Sequence, residues 1–271
     1  MDFIMLFREP FLLNALLGGL GIALISGPLG ACIVWKRMAF FGDALSHAAL
    51  FGIALSLWID ANPILGVIGI GILLALFLLW RQKDRKLSTD TSLAIASSGS
   101  LSLGLVAFSL VANLSQKSIG IMDYLLGDLL SIQAGELYTL FGIVLVSLGV
   151  LYVLWRPLLA VILDEDVARV EGLPVFWIRL AFMFLTVVTV AIAIKMVGVL
   201  LVTALLIIPA AIAQNIARSP GAMGMVASGI GGFAVLLGLQ SSIWWDVPPG
   251  PMIVTVALGM FVVSSAVRVK T

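Results

Sequence analysis

The stretch PILGVIGIGILLALFLLW, residues 63–80, contains no charged side chain, and the six residues that follow, RQKDRK (81–86), contain five. A helix rises 1.5 Å per residue, so about 20 apolar residues cross the ~30 Å hydrocarbon core of a bilayer. Over the whole chain of 271 residues, 62% are hydrophobic and 11% are charged. Soluble domains average about 45–50% and 25%. The sequence therefore predicts a membrane protein whose helices end at charged loops.

Charged residues divide the chain into about nine apolar spans of this kind. The predicted spans are 11–34, 40–58, 63–80, 90–112, 136–155, 178–195, 198–217, 222–242 and 251–267. Only Lys195 and Gly198 separate the sixth span from the seventh, so a count of eight also fits. No loop would hold a water-soluble domain. We predict an all-α, polytopic integral membrane protein with a single transmembrane domain over residues 1–271.

Lysine and arginine indicate the orientation, because short cytoplasmic loops are enriched in both residue types. Placing RQKDRK in the cytoplasm puts 12 of the 15 basic residues on that side and leaves Arg8, Lys117 and Lys195 outside. With nine spans, the amino terminus is then external and the carboxyl terminus cytoplasmic.

Several classes of function have no support in the sequence. There is no Gly-Lys dipeptide, hence no P-loop for nucleotide hydrolysis, and there is no HExxH zinc-protease signature. Cys32 is the only cysteine, so no disulfide framework exists. A net charge of +1 gives no indication of a nucleic-acid partner. We predict that the chain is not an enzyme.

The only histidine of the chain, His47, follows Asp43 by four residues inside the second span. Residues four apart share one helix face. Counted from Arg37 at the cytoplasmic surface, Asp43 lies ~9 Å and His47 ~15 Å along the helix axis. An aspartate at the centre of a bilayer costs roughly 2.5–3.5 kcal/mol. Three roles would offset that cost: a helix cap near the interface, a proton relay, or a ligand pair for a divalent cation such as zinc or manganese.

The loop predicted at about 156–178 contains an acidic segment, LDEDVARVEGLPV (Leu163 to Val175). It is either a solvated connection with ordinary caps or an exposed docking element, with Leu163, Val167 and Val170 on one face. Loops of about 20 residues without a purpose are uncommon.

Three acids, Asp123, Asp128 and Glu136, lie on the opposite side of the predicted membrane. They would attract cations to an outer mouth through their local field. A short interfacial helix would account for them equally well.

Three further stretches carry a resemblance to a known family. RMAFFGDALSHAALFGIAL (37–55), LDEDVARVEG (163–172) and VGVLLVTALLIIPAAIA (197–213) resemble the signature, the ATPase-docking segment and a late span of the membrane permeases of bacterial ABC importers for zinc, manganese and iron. DANP (60–63) followed by LSTDTSLA (87–94) is most similar to the zinc-uptake branch.

The resemblance implies a vitamin B12-permease-like (type II) architecture in the bacterial inner membrane. It implies a pore formed with a second copy of the chain, two cytoplasmic ABC ATPase subunits and an extracytoplasmic metal-binding protein. No cofactor is held permanently, since the divalent metal is the transported substrate.

The resemblance also assigns residues. Asp43 and His47 fall on the family's metal-pathway positions, and Ser98 aligns where zinc permeases commonly have a second histidine. The docking positions are Asp164, Glu165, Ala168 and Gly172.

The sequence thus predicts a permease subunit that moves a divalent metal into the cytoplasm, with zinc as the leading candidate. A manganese or iron permease of the same family is one alternative, and a related permease with a vitamin or iron-chelate cargo is another. A proton-coupled secondary transporter and an intramembrane metalloenzyme belong to different classes.

Overall fold

The computed structural model describes residues 9–81, 88–115, 125, 127 and 129–268. Within them every regular element is a helix. The helices are α1 (Pro10–Trp35), α2 (Phe40–Trp58), α3 (Pro63–Arg81), α4 (Thr89–Ser115), α5 (Ala134–Leu163), α6 (Glu165–Val170), α7 (Val175–Ile216), α8 (Pro220–Trp245) and α9 (Pro249–Arg268), with a 3-10 turn at Leu129–Ser131. The all-α prediction is confirmed.

Nine stretches of the described chain are long and apolar enough to span a membrane, as predicted. Helix α7 supplies two of them, Val175–Ile194 and Val197–Ile216. They are divided at Gly198, whose φ of 78° and ψ of 167° are not helical. Glycine adopts positive φ without the Cβ clash that other residues meet. The division predicted between Lys195 and Gly198 is therefore present in the backbone.

Helix α5 is longer than the sequence predicts. The fifth span was expected to end at residue 155, yet the helix continues through Pro157 to Leu163. A proline inside a helix removes one backbone hydrogen bond, but a membrane helix tolerates that loss when other groups satisfy the freed carbonyl. The loop predicted at about 156–178 consequently narrows to residues 164–174, which include α6.

The chain divides into two compact units. The first unit comprises 1–34, 122–148 and 193–271, and the second comprises 35–121 and 149–192. The single domain over 1–271 stays a prediction.

In the first unit, close backbone contacts hold the helices together. A Cβ on Gly30 of α1 would clash with the Leu206 carbonyl of α7, so only glycine allows this approach. The Asn14 amide of α1 donates a 3.2 Å hydrogen bond to the carbonyl of Ile132. Helices α8 and α9 pack against each other.

In the second unit, α2 packs along both α3 and α4. A Cβ on Gly52 of α2 would lie 2.6 Å from the carbonyl carbon of Gly66 in α3, which is closer than real Cβ atoms approach other atoms. Small residues let helix backbones approach in lipid, where hydrophobicity does not drive helices together. This contact fixes the position of α2, the helix that carries Asp43 and His47.

Candidate metal site

Asp43 and His47 lie on α2, with Asp43 in its first turn and His47 one turn later. The side chain of Asp43 is 38% exposed and that of His47 is 20% exposed, while their helix neighbours Ala44, Leu45 and Ser46 are buried. Asp43 Oδ2 and His47 Nδ1 are 3.6 Å apart. The structure thus brings the two residues together on one face of the helix, as predicted.

A third polar group, Ser97 of α4, completes the cluster. Its hydroxyl donates a 2.5 Å hydrogen bond to Asp43 Oδ2 and lies 2.9 Å from His47 Nδ1. Ser97 itself is buried, with 5% exposure. The adjacent Ser98, which the sequence aligned with a second histidine, is exposed.

Sequence reasoning missed Ser97, although the signal lay one residue away. Successive helix residues are rotated by about 100° around the axis, so neighbouring serines face different directions. Only the packing of α4 on α2 selects the serine that meets the pair.

The contacts of Asp43 are not those of a helix cap. The N-cap of α2 is Ala39, which has no side-chain cap hydrogen bond. The Asp43 carboxylate contacts Ser97 and His47 instead. A carboxylate and a neutral imidazole are suitable ligands for zinc or manganese. In the part of the chain that the structure describes, no group of three or more His, Cys, Asp or Glu residues could hold a metal ion.

The acidic segment contains a short capped helix. Asp164 is the N-cap of α6, and its carboxylate accepts hydrogen bonds from the backbone amides of Asp166 (2.9 Å) and Val167 (3.0 Å). The segment turns at Gly172, where φ is 81°. Its apolar side chains divide between two environments, since Ala168 is 1% exposed whereas Val170 is 90% exposed.

Glu165, a predicted docking residue, is surrounded by three cations. Its carboxylate accepts a 2.6 Å hydrogen bond from Arg169 and bonds of 3.1 and 3.0 Å, one to each oxygen, from Arg179. Lys36 Nζ lies 3.9 Å from the same carboxylate and donates to the carbonyl of Val161 at 3.4 Å.

The pKa of Lys36 reflects the balance of charges in this cluster. Burial, and then the nearby Arg179 guanidinium, lower the pKa of Lys36 below its usual value, while Glu165 acts in the opposite direction. The Glu165 carboxylate therefore offsets the repulsion between cations held close together.

The two acids predicted at an outer mouth, Asp123 and Asp128, lie outside the described residues. Glu136, the third acid of that group, is in the first turn of α5.

The chain is similar to characterised proteins over nearly its whole length. It is 38% identical over 254 residues to the high-affinity zinc uptake system membrane protein ZnuB of Haemophilus influenzae, a match that covers 93% of this chain and 96% of the relative. It is 31% identical to the manganese import system permease protein ScaB of Streptococcus parasanguinis, over 96% of this chain and 91% of the relative.

The fold is also similar to that of a solved structure, PsaBC from Streptococcus pneumoniae in complex with Fab. The TM-score is 0.82 at 32% sequence identity, with 97% of this chain and 94% of that chain covered. The profile of the ABC 3 transport family matches residues 8–268. Its spans, its order of motifs and this match agree, and the chain belongs to the ABC 3 transport family.

Proposed function

We propose that the chain is the membrane-spanning permease subunit of an ABC importer that passes divalent zinc into the cytoplasm. The observation that carries the proposal is the polar cluster of Asp43, Ser97 and His47 within apolar spans. Charged residues inside a membrane are costly, so they mark ion pathways when they persist there. The zinc relative from H. influenzae supports this cargo through its name and its 38% identity.

Two protein ligands suit passage better than storage. Structural zinc sites usually take four ligands, whereas conduction requires binding that is loose enough for release. Asp43 and His47 of one chain would act with the same pair of a second copy, in a homodimeric pore, or with water.

The remaining parts of the importer would be separate chains. Cytoplasmic ABC ATPase subunits would dock on the acidic segment, with Asp164 and Gly172 shaping α6 and Ala168 seating it. An extracytoplasmic metal-binding protein would deliver the ion, and Asp123 and Asp128 would attract it. In this proposal the chain lies in the bacterial inner membrane with a cytoplasmic carboxyl terminus, and all ATP hydrolysis belongs to the partner.

Manganese is the second candidate cargo. The S. parasanguinis relative is named as a manganese permease, and carboxylate and imidazole ligands also accept manganese. This relative is 31% identical to the chain, against 38% for the zinc relative, and this difference supports zinc as the leading candidate cargo.

The test measures zinc and manganese accumulation in cells that lack other importers, normalised to the permease in the membrane. We expect Asp43→Asn and His47→Ala each to reduce accumulation to background without lowering the amount of protein. The double variant should be no worse than either single variant, as for groups that act as a unit. Asp90→Asn, the same change at an exposed position in α4, is the matched control. Full accumulation by His47→Ala would refute the ligand assignment, and a preference for manganese would change the cargo.

A further inference from the structure

The hydrogen bonds around Ser97 fix the position of one proton on the imidazole of His47. A serine hydroxyl has one proton and two lone pairs, and an ionised carboxylate only accepts. Because Ser97 donates its proton to Asp43 Oδ2, it has none left for His47. The 2.9 Å contact between Ser97 Oγ and His47 Nδ1 therefore requires that Nδ1 carries the hydrogen and donates it.

A relay of two hydrogen bonds follows, from His47 Nδ1–H to Ser97 Oγ–H and on to Asp43 Oδ2. A neutral imidazole has one protonated nitrogen, so Nε2 keeps its lone pair. Among the described residues, Nε2 of His47 and Oδ1 of Asp43 have no hydrogen-bond partner. Both atoms can therefore bind a cation without giving up a hydrogen bond.

We infer that Ser97 is a positioning residue that holds His47 in the Nδ1–H tautomer and leaves Nε2 as the metal-binding atom. The inference rests on the proposed function, since it assigns the ligand atoms of the same pair. Groups that orient a metal-binding histidine through its second nitrogen set both the tautomer and the direction of the ring. Ser97 does so with a side chain that does not itself need to touch the ion.

The burial of Ser97 strengthens the inference. Ser97 is 5% exposed, so its own side chain has little contact with solvent, and its hydroxyl is the hydrogen-bond partner at hand for His47 Nδ1 and Asp43 Oδ2. Removing the hydroxyl would take away the hydrogen bond that each of these atoms makes with Ser97. The imidazole hydrogen would then be free to move to Nε2, where it would compete with the metal. Loss of such an outer group typically reduces metal affinity or activity about 10–100-fold.

The experiment exploits the single histidine of the chain. The full-length permease is labelled with isotopic histidine, placed in lipid nanodiscs and studied by two-bond proton–nitrogen correlation spectra at a pH where the ring is neutral. All imidazole signals then belong to His47. We expect the Nδ1–H pattern in the wild type and in Ser97→Thr, which keeps the hydroxyl. Ser97→Ala should shift the pattern towards Nε2–H, and Ser98→Ala, at the exposed neighbouring position, should not. An Nε2–H pattern in the wild type, or an unchanged pattern in Ser97→Ala, would overturn the inference.

A zinc titration of the same samples, followed through the Nε2 signal, separates this inference from the proposed function. We expect Ser97→Ala to need about 10–100-fold more zinc than the wild type or Ser97→Thr for the same response. If zinc leaves the wild-type signal unchanged and His47→Ala still accumulates metal, the ligand assignment itself fails. If His47→Ala loses accumulation while Ser97→Ala matches the wild type in tautomer and in zinc response, only the role of Ser97 fails.

Discussion

Two clusters in the second unit share one sequence spacing and differ in their contacts. Asp43 and His47 are four residues apart on α2, and Glu165 and Arg169 are four residues apart on α6. Both oxygens of Glu165 accept hydrogen bonds from arginines, and Lys36 lies nearby. The contacts of Asp43 with other described residues are all made by Oδ2. A carboxylate whose two oxygens both accept hydrogen bonds stabilises the fold. A carboxylate with an oxygen that has no partner can still bind a cation.

The largest effect should come from the helix contact that positions α2, the helix that carries Asp43 and His47. Gly52→Leu would force a side chain against the backbone of Gly66 in α3, which has no rotamer by which to move away. We expect a loss of more than about 3 kcal/mol, at the upper end of overpacking costs. The measurement is the yield of monodisperse permease after detergent extraction.

Gly69→Leu is the matched control for this change, because a Cβ on Gly69 meets no atom within 4 Å. Its yield should equal that of the wild type. Equal yields from Gly52→Leu and Gly69→Leu would show that α2 is not held by this backbone contact.

An intermediate effect is expected from Glu165→Gln. The change keeps the shape of the side chain but leaves Lys36, Arg169 and Arg179 without their shared anion. Hydrogen bonds to charged groups contribute about 1.5–3 kcal/mol, so we expect a loss of that order and a lower melting temperature of the purified permease. Under the proposed function, zinc binding at His47 should persist, since Asp43 and His47 are unchanged.

Glu171→Gln makes the same chemical change six residues later, at an exposed position of the acidic segment. It should leave the melting temperature within error of the wild type, because exposed charges contribute little. If both variants melt at the same temperature, Glu165 does not stabilise the segment, and the contrast between the two carboxylates is lost.

The smallest effect on the isolated chain should come from Val170→Asp. Val170 is 90% exposed on α6, and Leu163 and Val167 are exposed nearby. Exposed apolar patches are typical of interaction sites, and under the proposed function the partner of this one is the ATPase subunit. We expect about tenfold weaker co-purification of that subunit, equivalent to ~1.4 kcal/mol, with an unchanged melting temperature. Undiminished co-purification would move the docking contact away from this patch.

The apolar spans were predictable because the membrane imposes one length and one composition on every crossing. Helix α2 was expected at 40–58 and runs from Phe40 to Trp58. The end of α5 was not predicted, since Arg156 and Pro157 mark a helix end by local rules, whereas the helix continues to Leu163.

The proximity of Asp43 and His47 was predictable because the two residues share one helix, so spacing alone places them on one face. The contacts of Ser97, Lys36 and Arg179 were not, because these residues come from other segments of the chain. A one-residue error in α4 exchanges buried Ser97 for exposed Ser98. Glu165 was expected at a docking surface, and only the fold brings Lys36 and Arg179 to it.

The break at Gly198 also sets the length of the two helical segments of α7. An unbroken helix of the 42 residues of α7 would measure ~63 Å, about twice the hydrocarbon core. Each 20-residue stretch beside the break measures ~30 Å, one core thickness. The non-helical backbone at this one glycine thus divides a helix that is too long for a membrane into two segments, each as long as the hydrocarbon core is thick. Both stretches are among the nine of the described chain that are long and apolar enough to cross a membrane.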